Sequence, residues 1–302
     1  MEDRVFNYRL KDSFIKDRAY HPDTALSFMY VFEKFKSKEE EKGKDICHFD
    51  ESELKEVIKS LKLPSLARVE QFISIISRYM WWASDYDIRN TVPPHINDEL
   101  RSFVFVDNSK IISEEELRRV SNLCINAQDG ICFALPFYGL FGHNLEEICN
   151  LAVKDCNTVA KTINVKGYFN RVIELPRWAA DLLEEAINED RYYINNGNSL
   201  SNKSFNKLSP NGYVLRTSGN PKFSPVDRSV VYQRVDKIKN FAGYPNIFPR
   251  SLRVSGQINF LKNNFTSPYP KEAYIELNKI FGIAEERWAN TKRELNMILE
   301  ER

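Results

Sequence analysis

Several features that would assign this 302-residue chain to a class at once are missing from it. The five cysteines (Cys47, Cys124, Cys132, Cys149, Cys156) include no Cys-x-x-Cys pair. An odd count without paired spacing predicts free thiols in a reducing compartment, not a disulfide framework. The four histidines (His21, His48, His95, His143) are scattered, so no zinc-ligand spacing exists and no metal or other cofactor is expected. There is no G-x-S-x-G, no phosphate-binding glycine loop and no dinucleotide fingerprint. With 11 Gly and 13 Pro, the chain is neither collagen-like nor of low complexity. The longest apolar run, Ile131 to Phe141, is about half of a bilayer span. The first ten residues are charged and lack an apolar core, which predicts no secretory signal and a cytoplasmic location. Charge of one sign is missing too: 43 Lys+Arg against 42 Asp+Glu gives +1. Taken alone, that balance argues against life on a polyanion.

What is present is helical periodicity in the first third. A helix is expected over Phe6 to Lys16. A second follows His21-Pro-Asp-Thr24, capped by Asp23 or Thr24, with Leu26, Met29, Tyr30, Phe32 and Phe35 on one face. Lys38 to Lys44 reads as a charged, solvated turn. A third helix starts near Ser52, with Leu54, Val57, Ile58 and Leu61 inward. A fourth follows Pro64-Ser65 and repeats Val69, Phe72, Ile73, Ile76, Tyr79 and Met80, ending near Trp81-Trp82. Four such helices make a small bundle over residues 1–90. Residues 91–112, with Pro93-Pro94 and a short extended piece at 103–106, read as a linker.

From residue 113 the pattern is mixed, so the fold class expected for the whole chain is mainly α with a small β-sheet (α+β). Ser113 followed by three glutamates is a helix start. Helices are expected near 113–127, 130–139 and 144–151. Two strands joined at Lys166-Gly167 follow over 157–175. Then come a helix over 177–188, a polar Asn/Ser-rich loop over 195–211, a helix from Ser224-Pro225, and helices near 250–263, 270–281 and 284–300.

Three boxes in this second domain carry a resemblance. GHNLEEICNL (142–151) is similar to G-L-R-x-x-E-x-x-x-L, with Glu147 and Leu151 matching and Asn144 at the arginine. VKGYFNRVIELP (165–176) is similar to a β-hairpin that carries a lysine at its turn, with Lys166, Arg171 and Leu175 matching. PRSLRVSG (249–256) is similar to H-x-L-R-H, with Arg253 matching, Arg250 at the His/Lys position and Val254 at the following His. Together they resemble the tyrosine recombinase (phage integrase) family. The family's last motif departs: in IFGIAEERWANTKREL, Gly282 fits, Ile283 replaces the histidine, and Lys292 stands where the tyrosine nucleophile belongs.

The resemblance implies an N-terminal SAM-like four-helix core-binding domain (1–90) and a catalytic-like domain (113–302) without its nucleophile. Recombinases cut by tyrosine attack on a phosphodiester, with two arginines and a His/Lys on the transition-state oxygens and a lysine protonating the leaving oxygen. Without the tyrosine no covalent intermediate forms, and Asn144 cannot replace a guanidinium clamp. The chain is therefore expected not to be an enzyme. Lys166, Arg250 and Arg253 are expected to converge on a DNA phosphate, with Asn144 beside them. On the fourth helix, Ser65, Arg68 and Arg78 are candidate DNA contacts.

As a whole, the chain resembles catalytically degenerate relatives that maintain phage lysogeny as transcriptional repressors. That resemblance implies binding to repeated operator elements in double-stranded phage DNA, in a bacterial cytoplasm. An antirepressor protein remains open as a second partner, and no membrane is expected. The C-terminal helix (Trp288, Leu295, Ile298, Leu299) either self-associates by docking on a neighbouring protomer or folds back on its own domain. Two rivals are an active integrase using Tyr269 or Tyr274 and a protein–protein adaptor on the same fold. Residues 1–110 hold 18 basic and 20 acidic residues, and residues 111–302 hold 25 and 22. The basic excess thus sits in the domain with the cation cluster, so the balanced total does not exclude DNA.

Overall fold

The computed structural model describes residues 2–94, 96, 100–167, 169–200, 202–218 and 224–300. His95 and Tyr168, the latter within the hairpin motif, lie outside these residues. The chain divides into two units, Met1–Val106 and Asp107–Arg302, and each has its own apolar core.

In the first unit the helix starts are written in short polar side chains. Four helices form: α1 (Tyr8–Asp17), α2 (Pro22–Lys42), α3 (Glu51–Ser60) and α4 (Leu66–Asp85). Asp50 and Glu53 cap α3 reciprocally, and the Ser65 hydroxyl accepts from Arg68 N–H to open α4. The N-cap of α2 is His21, whose ring accepts from Asp23 N–H; Asp23 and Thr24 are already helical. The periodic face of α4 buries Val69, Phe72, Ile73, Ile76, Tyr79 and Met80 as its spacing requires, and the helix continues beyond Trp82 to Asp85.

Helix α2 differs from expectation at both ends. Its buried residues are Phe28, Val31, Phe32, Phe35 and Glu39, while Leu26 and Tyr30 are 60% and 42% exposed. The charged run 38–44 is not a solvated turn. The helix runs through it to Lys42 and stops at Gly43, whose φ of +65° is a left-handed C-cap. Glu39 in this run is fully buried against Lys11 at 2.5 Å, and Asp45 lies 3.5 Å from the same ammonium. A buried charge needs such pairing, and the lysine that supplies it lies 28 residues away.

Ile96 and Phe103 are buried in the first core, and Ile111 and Ile112 in cores of the second unit. A 3₁₀ turn at Leu100–Phe103 precedes a single parallel bridge between Val104 and Leu63.

The second unit is built on α6 (Ala127–Phe137), every residue of which is buried. Around it pack α5 (Glu114–Asn122), α8 (Arg177–Asn188), α9 (Arg228–Phe241) and α10 (Pro249–Asn264). The apolar run at 131–141 is therefore a core helix. Among the described residues no helix is long and apolar enough to cross a membrane. Helix α10 approaches α6 at Gly256, where a Cβ would stand 1.7 Å from the Phe137 carbonyl oxygen. Only glycine permits that crossing.

Polar side chains on the buried α6 are all engaged. Gln128 donates to the Ala186 and Val214 carbonyls, and Asp129 pairs with Arg234 at 3.5 Å. Beside this core lies an antiparallel sheet of β1 (Cys156–Asn157), β2 (Thr162–Val165) and β3 (Arg171–Glu174), with Val165 opposite Arg171. A short helix, α7 (Glu146–Cys149), precedes it.

The polar stretch 195–211 contains a strand the pattern does not reveal. There β5 (Phe205–Lys207) pairs with β4 (Arg191–Tyr193). Helices α11 (Lys271–Ile280) and α12 (Trp288–Leu299) close the unit. Leu295 of α12 is buried with Ile258, Leu261, Tyr274, Leu277 and Phe281, so the C-terminal helix packs on its own unit.

Candidate nucleic-acid interface

The first box forms a tight turn followed by α7. Gly142, Asn144 and Leu145 have φ of +69°, +52° and +68°. Asn144, at the expected arginine position, is exposed, and its amide lies 2.9 Å from the neighbouring His143 ring nitrogen. Asparagine is among the few residues that adopt this left-handed backbone readily. As a neutral amide it offers no charge to a phosphate.

Glu147, three residues on, meets Arg171 at the start of β3. Both guanidinium ends donate to the carboxylate, at 2.8 and 2.7 Å, and the two side chains are 8% and 9% exposed. The same guanidinium also donates to the carbonyls of Gly139 (2.7 Å), Ile280 (2.8 Å) and Phe169 (3.3 Å). It thus ties the first box, the hairpin and the end of α11 together. Gly282 sits against it with φ of +62°, and a Cβ there would be 2.8 Å from the guanidinium. Arg171 matches the motif in the sequence, but nothing local reveals that it is the hub.

Arg253, on the first turns of α10, joins the same cluster. It donates to the Phe281 carbonyl at 3.0 Å and lies over the Phe141 ring at 5.1 Å. Its Nε is buried with no hydrogen-bond partner. Burial pushes its pKa down to about 10; Glu147 opposes that shift, while Arg171 and Arg250 add to it. It remains a cation at neutral pH. Two arginines therefore hold successive carbonyls, Ile280 and Phe281, at the C-terminal end of α11. There, cations also suit the helix dipole. Arg250, one turn before Arg253, is exposed.

Lys166 is the third expected cation. It is 69% exposed in the hairpin turn and paired with Asp155. It borders a cleft of about 330 Å³ whose other walls include Glu146, Glu147, Asp155 and Asn164. Arg171 neutralises Glu147 and Lys166 neutralises Asp155, which leaves the Glu146 carboxylate to face that cleft. The three expected cations are thus an exposed arginine, a largely buried arginine and a lysine engaged elsewhere.

In the first unit, Ser65 is half-buried and serves as the α4 cap. Arg68 and Arg78 are exposed on the same helix. Arg68 donates to Gln71 Oε1 at 2.6 Å and lies over the Tyr30 ring at 5.5 Å. Sequence reasoning missed Tyr30 and Gln71 as surface residues; the apolar periodicity of α2 had drawn Tyr30 inward.

A helical bundle followed by an α+β unit, with the three boxes meeting at Arg171 and Arg253, is the class that the motif resemblance implies. It is a recombinase-like fold with a core-binding domain and a catalytic-like domain. Residues 5–85 match the family model described as "MrpR, N-terminal core-binding domain", and residues 111–301 match "MrpR, C-terminal catalytic domain". The chain belongs to the MrpR family. It is 21% identical over 264 residues to the SPbeta prophage-derived uncharacterized protein YopR of Bacillus subtilis (strain 168), covering 84% of this chain and 81% of that one. Solved structures similar to it include the XerA recombinase (14% identity, 97% of this chain and 96% of that one, TM-score 0.45). Another is the lambda integrase dimer bound to a COC′ core site (10% identity, 95% of each chain, TM-score 0.48).

Proposed function

We propose that the protein is a DNA-binding transcriptional repressor that maintains phage lysogeny by binding repeated operator elements, on a recombinase fold that does not cleave strands. In this reading it acts in the cytoplasm of a bacterial host, on phage DNA. The observation that carries the loss of cleavage is the state of the tyrosine positions. Lys292 occupies the nucleophile position on α12, and its ammonium lies over the Tyr274 ring at 5.9 Å. Tyr274 is 1% exposed, its hydroxyl is bonded to Asn296 at 2.6 Å, and burial raises its pKa. A buried, protonated and hydrogen-bonded hydroxyl is a poor nucleophile. With Asn144 in place of a guanidinium, transition-state charge is left without one of its clamps.

Retained DNA binding is supported by Arg250, exposed on the turn before Arg253, and by Arg68 and Arg78, exposed on α4. Phosphate contacts of this kind position a protein on DNA and make affinity fall steeply with salt. The test is a gel shift against the intergenic repeats of the phage that carries the gene, at fixed salt. Wild-type protein is expected to shift the repeats, and Arg250→Ala or Arg253→Ala to weaken binding by about 1–3 kcal/mol. Folded variants that bind as wild type does would remove the retained clamp. A wild-type protein that shifts no DNA would favour the adaptor.

A further inference from the structure

We infer that the first unit carries a proton-operated clasp: a proton held on Glu39 keeps the turn between α2 and α3 closed and, through that turn and Arg89, holds the chain that leaves α4. None of these residues belongs to the DNA-binding reading above. Among the buried polar atoms without a hydrogen-bond partner are Glu39 Oε2, Asp45 Oδ2 and the Tyr79 hydroxyl. They belong to one cluster. Lys11 Nζ lies 2.5 Å from Glu39 Oε1 and 3.5 Å from Asp45 Oδ2, so the two carboxylates share one ammonium. The Tyr79 hydroxyl faces Asp45 from α4. The same ammonium donates to the Phe6 carbonyl at 2.8 Å and lies against the Phe6 and Phe32 rings.

Charge and hydrogen bonding call for the same proton. With both carboxylates ionised, two anions face one ammonium where Lys11, Glu39 and Tyr79 are fully buried. Glu39 Oε2 and Asp45 Oδ2 then compete for one free donor, the Tyr79 O–H. A proton on Glu39 Oε2 leaves one anion against one cation and adds the second donor. Asp45 Oδ2 has lone pairs for both, met directly or through an enclosed water. The other groups facing the cluster do not remove the conflict. Burial pushes the Cys47 thiol pKa up, so it stays neutral, and Arg89 commits its N–H groups to backbone carbonyls. Burial raises the Glu39 pKa to about 7, with Lys11 opposing and Asp45 adding to the shift, so the proton is exchanged near neutral pH.

The same carboxylates close the turn. Glu39 Oε1 accepts from the Ile46 N–H at 2.7 Å, and Asp45 Oδ1 accepts from the Cys47 N–H at 2.9 Å. Arg89, 5% exposed, grips the turn from the other side. Its Nη1 donates to the Cys47 carbonyl and, at 3.1 Å, to the Phe49 carbonyl. Its Nε and Nη2 donate to the Thr91 and Val92 carbonyls at 2.7 and 3.3 Å. One guanidinium thus ties the turn to the first residues of the stretch 91–112. When Glu39 loses its proton, the two carboxylates repel across Lys11. Glu39 is fixed in the long helix α2, whereas Asp45 belongs to the short turn, so the turn is the part that yields. It carries the Cys47 and Phe49 carbonyls with it and loosens the hold of Arg89 on Thr91 and Val92. Each step in this chain is a direct contact.

The experiment is hydrogen exchange of the full chain near pH 6 and pH 8, read by mass spectrometry and divided by the intrinsic rate at each pH. Two peptides report. Residues 44–50 contain the Ile46 and Cys47 N–H groups bonded to the carboxylates, and residues 86–94 contain the Ile88 and Arg89 N–H groups bonded to the Ala83 carbonyl. The folded pKa of Glu39 lies above its unfolded value, so protection is lost as pH rises through 7, by about 10-fold between these two conditions in both peptides. Glu39→Gln puts an amide N–H where the proton sits and keeps an oxygen for Lys11 and Ile46, so both peptides should stay protected at either pH. Asp45→Asn removes the second anion and should also shrink the step. Arg89→Met should keep a step in 44–50 and lose it in 86–94. Circular dichroism at the lower pH confirms folding. Equal wild-type protection at both pH values overturns the inference, and so does a wild-type step confined to 44–50. A folded Glu39→Gln protein that keeps the wild-type step does the same. If Glu39→Gln does not fold, an undiminished step in Asp45→Asn overturns it.

Discussion

Replacing Arg171 by alanine should unfold the second unit far more readily than its motif position suggests. The guanidinium makes two bonds to Glu147 and donates to the carbonyls of Gly139, Ile280 and Phe169. Its removal leaves a carboxylate that is 9% exposed, with the Phe141 N–H, at 2.9 Å, as its one remaining donor among the described residues. Breaking a buried pair from one side costs about 3–5 kcal/mol, because the partner charge is left uncompensated. Arg171→Lys keeps the charge but cannot span both carboxylate oxygens and the carbonyls around it, so it should lose about half as much. The double variant Arg171→Met/Glu147→Leu removes both charges and should recover part of the loss, because the Gly139, Ile280 and Phe169 carbonyls still lose their donor. Urea unfolding of the full chain measures this, with Trp178 and Trp288 reporting the second unit and Trp81 and Trp82 the first. The two units need not melt together, so the curves are fitted separately. The reasoning fails if Arg171→Ala costs under about 1 kcal/mol, or if the double variant is no better than the single one.

Burial raises the Glu39 pKa to about 7, against the pull of Lys11. Its folded value lies above the unfolded one, so the ionised carboxylate weakens the fold above pH 7 and the penalty is relieved as pH falls toward 4.5. The first unit should therefore be more stable at pH 5.5 than at pH 8, by about 2 kcal/mol at most. Glu39→Gln should flatten that dependence in Trp82-monitored melts, and a wild-type first unit that weakens on acidification from pH 8 to 5.5 would contradict it. Gly256→Ala should destabilise the second unit by about 1–3 kcal/mol or more despite the better helix propensity of alanine, because α6 and α10 must separate; thermal unfolding checks the sign. Removing α12 by truncation after Ile283 exposes Leu277 and Phe281 and should lower the melting temperature of the second unit, with an unchanged melt refuting its packing in cis.

The elements most legible in the sequence are those whose signals are local. Helix α4 combines a Ser65 cap with an unbroken apolar stripe, and α5 has Ser113 and Glu116 as a capping box. Elements were misread where the deciding partner is distant. The run 38–44 looks solvated because Lys11, which allows Glu39 to be buried, lies a helix away. Strand β5 has three residues, too few for a period of two to show, and its partner β4 precedes an Asn-rich loop. At the candidate site the motif residues were visible one by one. Their relations were not: Arg171 reaches Ile280, 109 positions on, and Lys166 pairs with Asp155.

In the function proposed above, the recombinase fold holds DNA without cutting it. The most direct measurement is a nicked suicide duplex carrying the phage repeats, incubated with the full chain and resolved in parallel on native and denaturing gels. A retarded band is expected on the native gel and no covalent protein–DNA adduct on the denaturing one. An adduct that persists in denaturant and disappears in Tyr274→Phe or Tyr269→Phe would contradict it.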